Sequence, residues 1–382
     1  MPYIHIQDAR GATQLAEDLQ RSRRIALDCE AAGFHRYSDR LCLLQVSTDA
    51  RTYVVDPLAF DPTDVLRHPL EDAGVEVVMH GADFDLRLID RDLGIRLRGL
   101  FDTQVAAALL GEPALGLQAL LEGLLGVSLP KKYQRSDWAA RPLPGEMLEY
   151  AANDTRHLMS LADRLTGRLR DADRLAWVTE ECVALEDNAY RTSDDPPEDP
   201  VTRVKGARDL TPRQVTALRE ALEWRDRIAR DRDRAPFRVV GDAPLLAAVL
   251  HKPLGRHELA SIKGFPRGLA RQEGDGLLNR LDRVAQLTDG DLQPYPRPNR
   301  RGPGRPPPEV EVLAERLRSA RNRRAATLGL DRGTLLPNAV LLAVAKQRPM
   351  DEAALVGVDG IRKWQVEAAG KDLLEVLRES SA

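Results

Sequence analysis

The sequence predicts an α/β domain followed by a helical region built from two copies of one unit. Three observations carry this. Short apolar runs alternate with polar turns over the first hundred or so residues, Ala/Leu-rich helical periodicity dominates from about residue 103, and the last half matches itself when slid by 96 positions.

Ile25-Ala26-Leu27-Asp28-Cys29-Glu30 reads as a strand. Leu41–Ser47 and Thr52–Asp56 follow across short polar turns, which suggests an antiparallel meander. Glu76–His80 is a further strand-like run, and the stretch DFDLRLIDRDLG after it has helical spacing. TQVAAALLG and LQALLEGLLG are helix formers that each stop at a glycine. A loop carrying Pro130, Pro142 and Pro144 leads into one long helix, expected from Gly145 to about Leu169. The acidic, proline-rich segment Thr192–Pro200 marks the end of a first domain, 1–195. A second linker, Pro294–Pro308, carries Arg297, Arg300, Arg301 and Arg305 and separates helical domains at 205–290 and 308–382. The repeat pairs Pro212 with Pro308, Arg225 with Arg321, Leu245-Leu246-Ala247 with Leu341-Leu342-Ala343, Pro253 with Pro349, Gly264 with Gly360, and Leu277-Leu278 with Leu373-Leu374. So many agreements in one ungapped register point to tandem duplication.

Length and composition set bounds on function. A chain of 382 residues is too long for one ordinary core, and 43% hydrophobic with 30% charged residues describes a globular protein. It has no apolar run of membrane-spanning length, and MPYIHIQDARG lacks a signal-peptide pattern, so no membrane partner is expected. Cys29, Cys42 and Cys182 are odd in number and share no CxxC spacing, which argues against a disulfide framework or a thiolate zinc site and makes the cytoplasm the expected compartment. The net charge of −3 gives no nucleic-acid signal by itself, although an acidic site can mask separate basic surfaces.

Asp28 and Glu30, two apart on a strand, project from the same face. Two adjacent carboxylates repel unless a cation lies between them, and an oxygen-only site suits Mg²⁺ or Mn²⁺. Alone, the pair fits a surface salt bridge equally well. Asp85 opens a helix in His80-Gly81-Ala82-Asp83-Phe84-Asp85, and Tyr150 and Asp154 lie one turn apart on another. Taken singly, each of these acids also fits an ordinary exposed position.

In order and spacing, Asp28-Cys29-Glu30, Asp85 and Tyr150-x-x-x-Asp154 resemble the three motifs of the DEDD exonuclease superfamily, in its tyrosine subgroup. The flanking text is similar to ribonuclease D in particular: Leu43-Leu44-Gln45, Phe101-Asp102-Thr103-Gln104, KKYQR from Lys131 to Arg135, Ser136-Asp137-Trp138 and Arg141-Pro142-Leu143. WRDRIARDRDRAP and KPLGRHELASIKGF resemble HRDC domains. The resemblance implies a ribonuclease H-like domain, with a mixed five-stranded sheet and flanking helices, followed by two all-α HRDC domains. It also implies 3′→5′ hydrolysis of RNA by two-metal-ion catalysis, releasing nucleoside 5′-monophosphates, with tRNA precursors as the expected substrate. By the same resemblance, Asp28, Glu30 and Asp154 hold one Mg²⁺ or Mn²⁺, Asp28 bridges to a second near Asp85, and Tyr150 positions the attacking water. Lys131, Lys132 and Arg135 become candidate RNA contacts. The segment after Glu30 reads AAGFHRY where relatives carry an aromatic, so the candidates for stacking on the terminal nucleotide are Phe34, His35 and Tyr37. Two alternatives stay open, a DNA exonuclease of the same fold and a non-catalytic nucleic-acid-binding scaffold. The helical copies are expected to position RNA, so a chain ending near residue 200 should still cleave short strands.

Overall fold

The computed structural model describes residues 2–129, 132–191, 198–296 and 306–380. Six strands form one sheet in the order β1-β4-β3-β2-β5-β6: β1 (Tyr3–Ile6), β2 (Arg24–Ala31), β3 (Leu41–Ser47), β4 (Thr52–Val55), β5 (Glu76–Met79) and β6 (Leu100–Asp102). The sheet therefore has one strand more than the five expected. β2–β3 and β3–β4 pair antiparallel, as the meander predicts, while β1–β4, β2–β5 and β5–β6 pair parallel. Neither β1, an edge strand whose YIHI has only Ile6 buried, nor β6, three residues long, presents the apolar run that marks a strand in the sequence.

Helices α1 (Ala9–Arg21), α2 (Thr63–Glu71), α3 (Asp83–Leu93), α4 (Thr103–Leu109), α5 (Leu117–Leu125), α6 (Gly145–Arg156), α7 (Leu158–Asp171) and α8 (Leu175–Ala189) complete the first domain. The single long helix expected from Gly145 is two helices, broken at His157. The halves serve different layers. α6 lies on β2, β3 and β4, whereas α7 packs on α4, α5 and β5. Thr155 is fixed to β3 by a 2.8 Å contact between its hydroxyl and that of Ser47, so the axis turns just beyond it.

Both copies of the helical unit are visible. The first comprises α9 (Pro212–Asp231), α10 (Pro236–Val239), α11 (Asp242–His251), α12 (Arg256–Ser261) and α13 (Arg267–Gln286). The second comprises α14 (Pro308–Leu328), α15 (Arg332–Leu335), α16 (Asn338–Gln347), α17 (Glu352–Val356) and α18 (Lys363–Glu379). The sequence register extends to backbone conformation. Lys252 and Arg348 both end a helix in the left-handed region, at φ 50° and 48°, and Gly264 and Gly360 share φ 83°. Most of each expected linker, 192–197 and 297–305 with its four arginines, lies outside the described residues.

The two copies attach differently. The first has a hydrophobic core of its own, around Trp224, Leu218 and Leu277. The second shares one continuous core with the sheet domain, through α8 and α18. Trp177 stacks on Trp364 with ring centroids 4.7 Å apart. The Glu180 carboxylate accepts the free N–H groups of Lys363 and Trp364 at 2.6 and 3.0 Å, capping α18 from another domain. Gly111 meets the Gly329 carbonyl so closely that any Cβ there would collide with it.

Candidate active site

β2 crosses the middle of the sheet and carries Asp28 opposite Gln45 and Glu30 opposite Leu43 on β3. An irregularity in the ladder between Glu30 and Ala31 ends the regular pairing just past these residues. Asp85, 9% exposed, sits in the first turn of α3, and Tyr150 and Asp154 are presented by α6. Asp28, Glu30, Tyr150 and Asp154 line one cavity of about 620 Å³, together with Cys29, His80, Gln134 and the N-terminal turn of α5. Asp85 is not part of that lining, yet it is close enough to act electrostatically on Glu30.

The four carboxylates strain one another. Burial pushes Asp28 up to about 7, and burial with the Asp28 charge pushes Asp154 up to about 8. Glu30 and Asp85 are raised well above the carboxylate range, by burial first and then by neighbouring acids. None of the four forms an ion pair with an arginine or lysine among the described residues, although ion pairs are abundant elsewhere on the chain. Gln45 adds to the imbalance: it is fully buried opposite Asp28, with neither amide atom hydrogen-bonded. Acids without a cationic partner and an unsatisfied amide beside them fit hydrated divalent cations bound through oxygen. No three His, Cys, Asp or Glu side chains among the described residues close around a common point.

Tyr150 is set by packing. Its ring lies 6.2 Å from Trp138 and 6.0 Å from Tyr133, and no hydrogen bond holds its hydroxyl among the described residues. Burial, then the charges of Asp154, Glu30 and Asp28, drive its ionisation far out of reach, so at neutral pH the phenol is a donor. Trp138 is buried and plugs its loop into the small core beneath α6.

The motif text contains Asp102 and Arg141 without revealing their roles. Asp102, 1% exposed, accepts the N–H groups of Gly81 and Ala82 at 3.0 and 2.8 Å and of Gln104 at 2.7 Å. One carboxylate thus fixes the turn leading to Asp85 and caps α4. His80 lies 2.9 Å from the Thr103 hydroxyl, a structural tie at the strand end. Arg141 grips buried Asp56 through two hydrogen bonds of 2.6 and 2.7 Å and donates to the Cys42 carbonyl, fixing the loop that feeds α6. The signal for either is its type, a charge directly beside apolar residues: Asp102 after Leu100-Phe101, and Arg141 between Ala139-Ala140 and Pro142-Leu143.

The candidate RNA contacts separate. Tyr37 points into the first helical copy, its hydroxyl 3.0 Å from Asp226 and its ring 5.4 Å from the Arg230 guanidinium. The His35 carbonyl accepts from Ala235 of that copy, and its ring Nε2–H donates to the Arg135 carbonyl at 2.9 Å. Phe34 keeps 41% of its surface exposed. Lys132 is exposed and paired with Glu146 at 3.0 Å, and Lys131 lies outside the described residues.

Comparisons with known proteins bear on the family. The 3′-5′ exonuclease family profile matches residues 3–170, and the HRDC domain profile matches 214–281 and 310–377. Ribonuclease D of Pseudomonas paraeruginosa is 32% identical over 98% of this chain and 97% of its own length. The crystal structure of Escherichia coli RNase D, described as an exoribonuclease involved in structured RNA processing, covers 99% of both chains at TM-score 0.69 and 25% identity. A protein from Bifidobacterium adolescentis covers 99% of this chain and 97% of its own at TM-score 0.82; at 24% identity that likeness concerns the fold. With 32% identity to a ribonuclease D along nearly its whole length, an exonuclease domain and two HRDC repeats, the chain belongs to the ribonuclease D family of 3′→5′ exoribonucleases.

Proposed function

We propose that the chain trims RNA 3′ ends, tRNA precursors among them, in the cytoplasm, with Asp28, Glu30, Asp85 and Asp154 holding two Mg²⁺ or Mn²⁺ ions and Tyr150 orienting the attacking water. The observation that carries this reading is the set of four carboxylates whose charges find no cation among the described residues. Bound there, divalent cations supply charge neutralisation of the phosphodiester and a lowered pKa for a coordinated water. The remaining work belongs to side chains. Tyr150 donates a hydrogen bond to the water, which fixes its approach without taking its proton, because a phenol with its ordinary pKa of about 10 is a poor general base at neutral pH. Asp102 and Arg141 hold the turn before Asp85 and the loop before α6, keeping both halves of the site in register.

RNA and DNA oligonucleotides of one sequence, each with a free or blocked 3′ end, test the reading when incubated with and without Mg²⁺. Release of nucleoside 5′-monophosphates from free-ended RNA only with metal is expected. Equal cleavage of DNA would make the enzyme indifferent to the 2′-hydroxyl, and cleavage of blocked ends would remove the exonucleolytic assignment. Asp85→Asn and Asp154→Asn should each slow turnover roughly a thousandfold while leaving the melting temperature at or above that of the parent. A folded variant retaining a tenth of the activity would reject the assignment.

A further inference from the structure

We propose that the RNA strand leaving the active site is carried onto the first helical repeat by a composite platform of Phe34, Phe237, Arg238 and Arg135, in which exposed rings stack on bases and the arginines bind phosphates. The inference rests on the exoribonuclease reading and extends it to a binding surface that no single domain contains. Phe34 comes from the loop after β2, four residues beyond Glu30, while Phe237 and Arg238 come from α10. The two rings lie 5.5 Å apart at 52°, and Phe237 is 51% exposed, which is unusual for an aromatic beside a domain junction.

Charge completes the argument. The Arg238 guanidinium lies 4.6 Å from the Phe34 ring centre and 5.8 Å from that of Phe237, held by a 2.7 Å bond from its Nε to the Phe34 carbonyl. Arg135 lies 5.8 Å over Phe34. Neither arginine forms an ion pair among the described residues, whereas Arg36 beside them is bound by Asp137 and Asp233, and Arg230 by Asp226. Two uncompensated cations interleaved with exposed rings are what single-stranded nucleic acid recognition requires, since every base offers a π-face and every linkage an anion. Arg135 follows directly on Gln134, which lines the catalytic cavity, so one end of the platform is tethered to it by the chain itself.

The test uses the full chain and compares kcat/KM on a dinucleotide with that on a single-stranded ten-mer. Phe237→Ala should lower the ten-mer-to-dinucleotide ratio roughly tenfold, and Phe237→Trp should restore it. Arg238→Gln should lower the slope of log Kd against log salt for the ten-mer by about 0.7, whereas Phe237→Ala should weaken binding and leave that slope alone. Leu254→Ala, a substitution at another exposed apolar position of the same repeat, serves as the control and should change neither. An unchanged ratio in Phe237→Ala, or an equal loss on both lengths, would overturn the platform. If the wild-type enzyme releases no mononucleotides from either RNA, it is the exoribonuclease reading that fails.

Discussion

Tyr150 combines two properties that rarely coincide: a ring wedged between Trp138 and Tyr133 and a hydroxyl free of protein partners among the described residues. Tyr150→Phe keeps the wedge and deletes only the donor, so the melting temperature should hold while single-turnover rates fall about ten- to a thousandfold. A fully active Tyr150→Phe would assign the side chain to packing alone. The acids allow a second prediction. Their folded pKa values are raised, to about 7 for Asp28 and about 8 for Asp154 from an ordinary 3.8, so the protonated forms favour the folded state. That contribution is complete below about pH 4 and is lost as pH rises through 7 to 8. The metal-free protein should melt at a lower temperature at pH 9 than at pH 6, and millimolar Mg²⁺ should close the gap by binding the ionised site. Melting curves that are flat across this range, with or without metal, would show that the folded site does not hold these acids in their protonated form.

Among the elements, those with length or a fixed register are legible in the sequence. β2 to β5 stand out because apolar runs of four to eight residues between polar turns have the length of a buried strand and are too short for a stable helix. The motif residues share one site because strand and helix periodicity set which faces they occupy. β6 and the break at His157 are invisible, since three residues carry no period and the break follows from which layer each half-helix meets. The proline-bearing loop before α6 reads as a connector, yet it is anchored. Removing one partner of the Arg141–Asp56 pair strands a fully buried carboxylate, so Arg141→Ala should cost about 3 kcal/mol and lower activity along with the melting temperature. A variant as stable as the parent would mean that the loop folds without that anchor.

At the scale of the molecule, the sequence separates chemistry from helices too cleanly. The first copy does stand on its own core, but the second is built into the nuclease through Trp364, α18 and the Glu180 cap. Truncation near residue 200 would therefore remove a wall of the nuclease core and not only an appendage, contrary to the expectation that short-strand cleavage survives it. A chain ending at Pro296, with the first copy intact, should already melt about ten degrees lower or aggregate, because burial of several large apolar side chains is lost. An undiminished melting temperature would show the shared core to be dispensable. Nothing local in either copy announces this difference, because it lies in which outer face meets α8. The same joint has a consequence during synthesis. Glu180 and its partner Lys363 are separated by 183 residues. At roughly 5–20 residues per second, a ribosome needs about ten to forty seconds to travel between them. Throughout that interval every motif carboxylate has been made while Trp177 still waits for its stacking partner, so the newborn chain holds its acids well before it holds the last wall of the core beneath them.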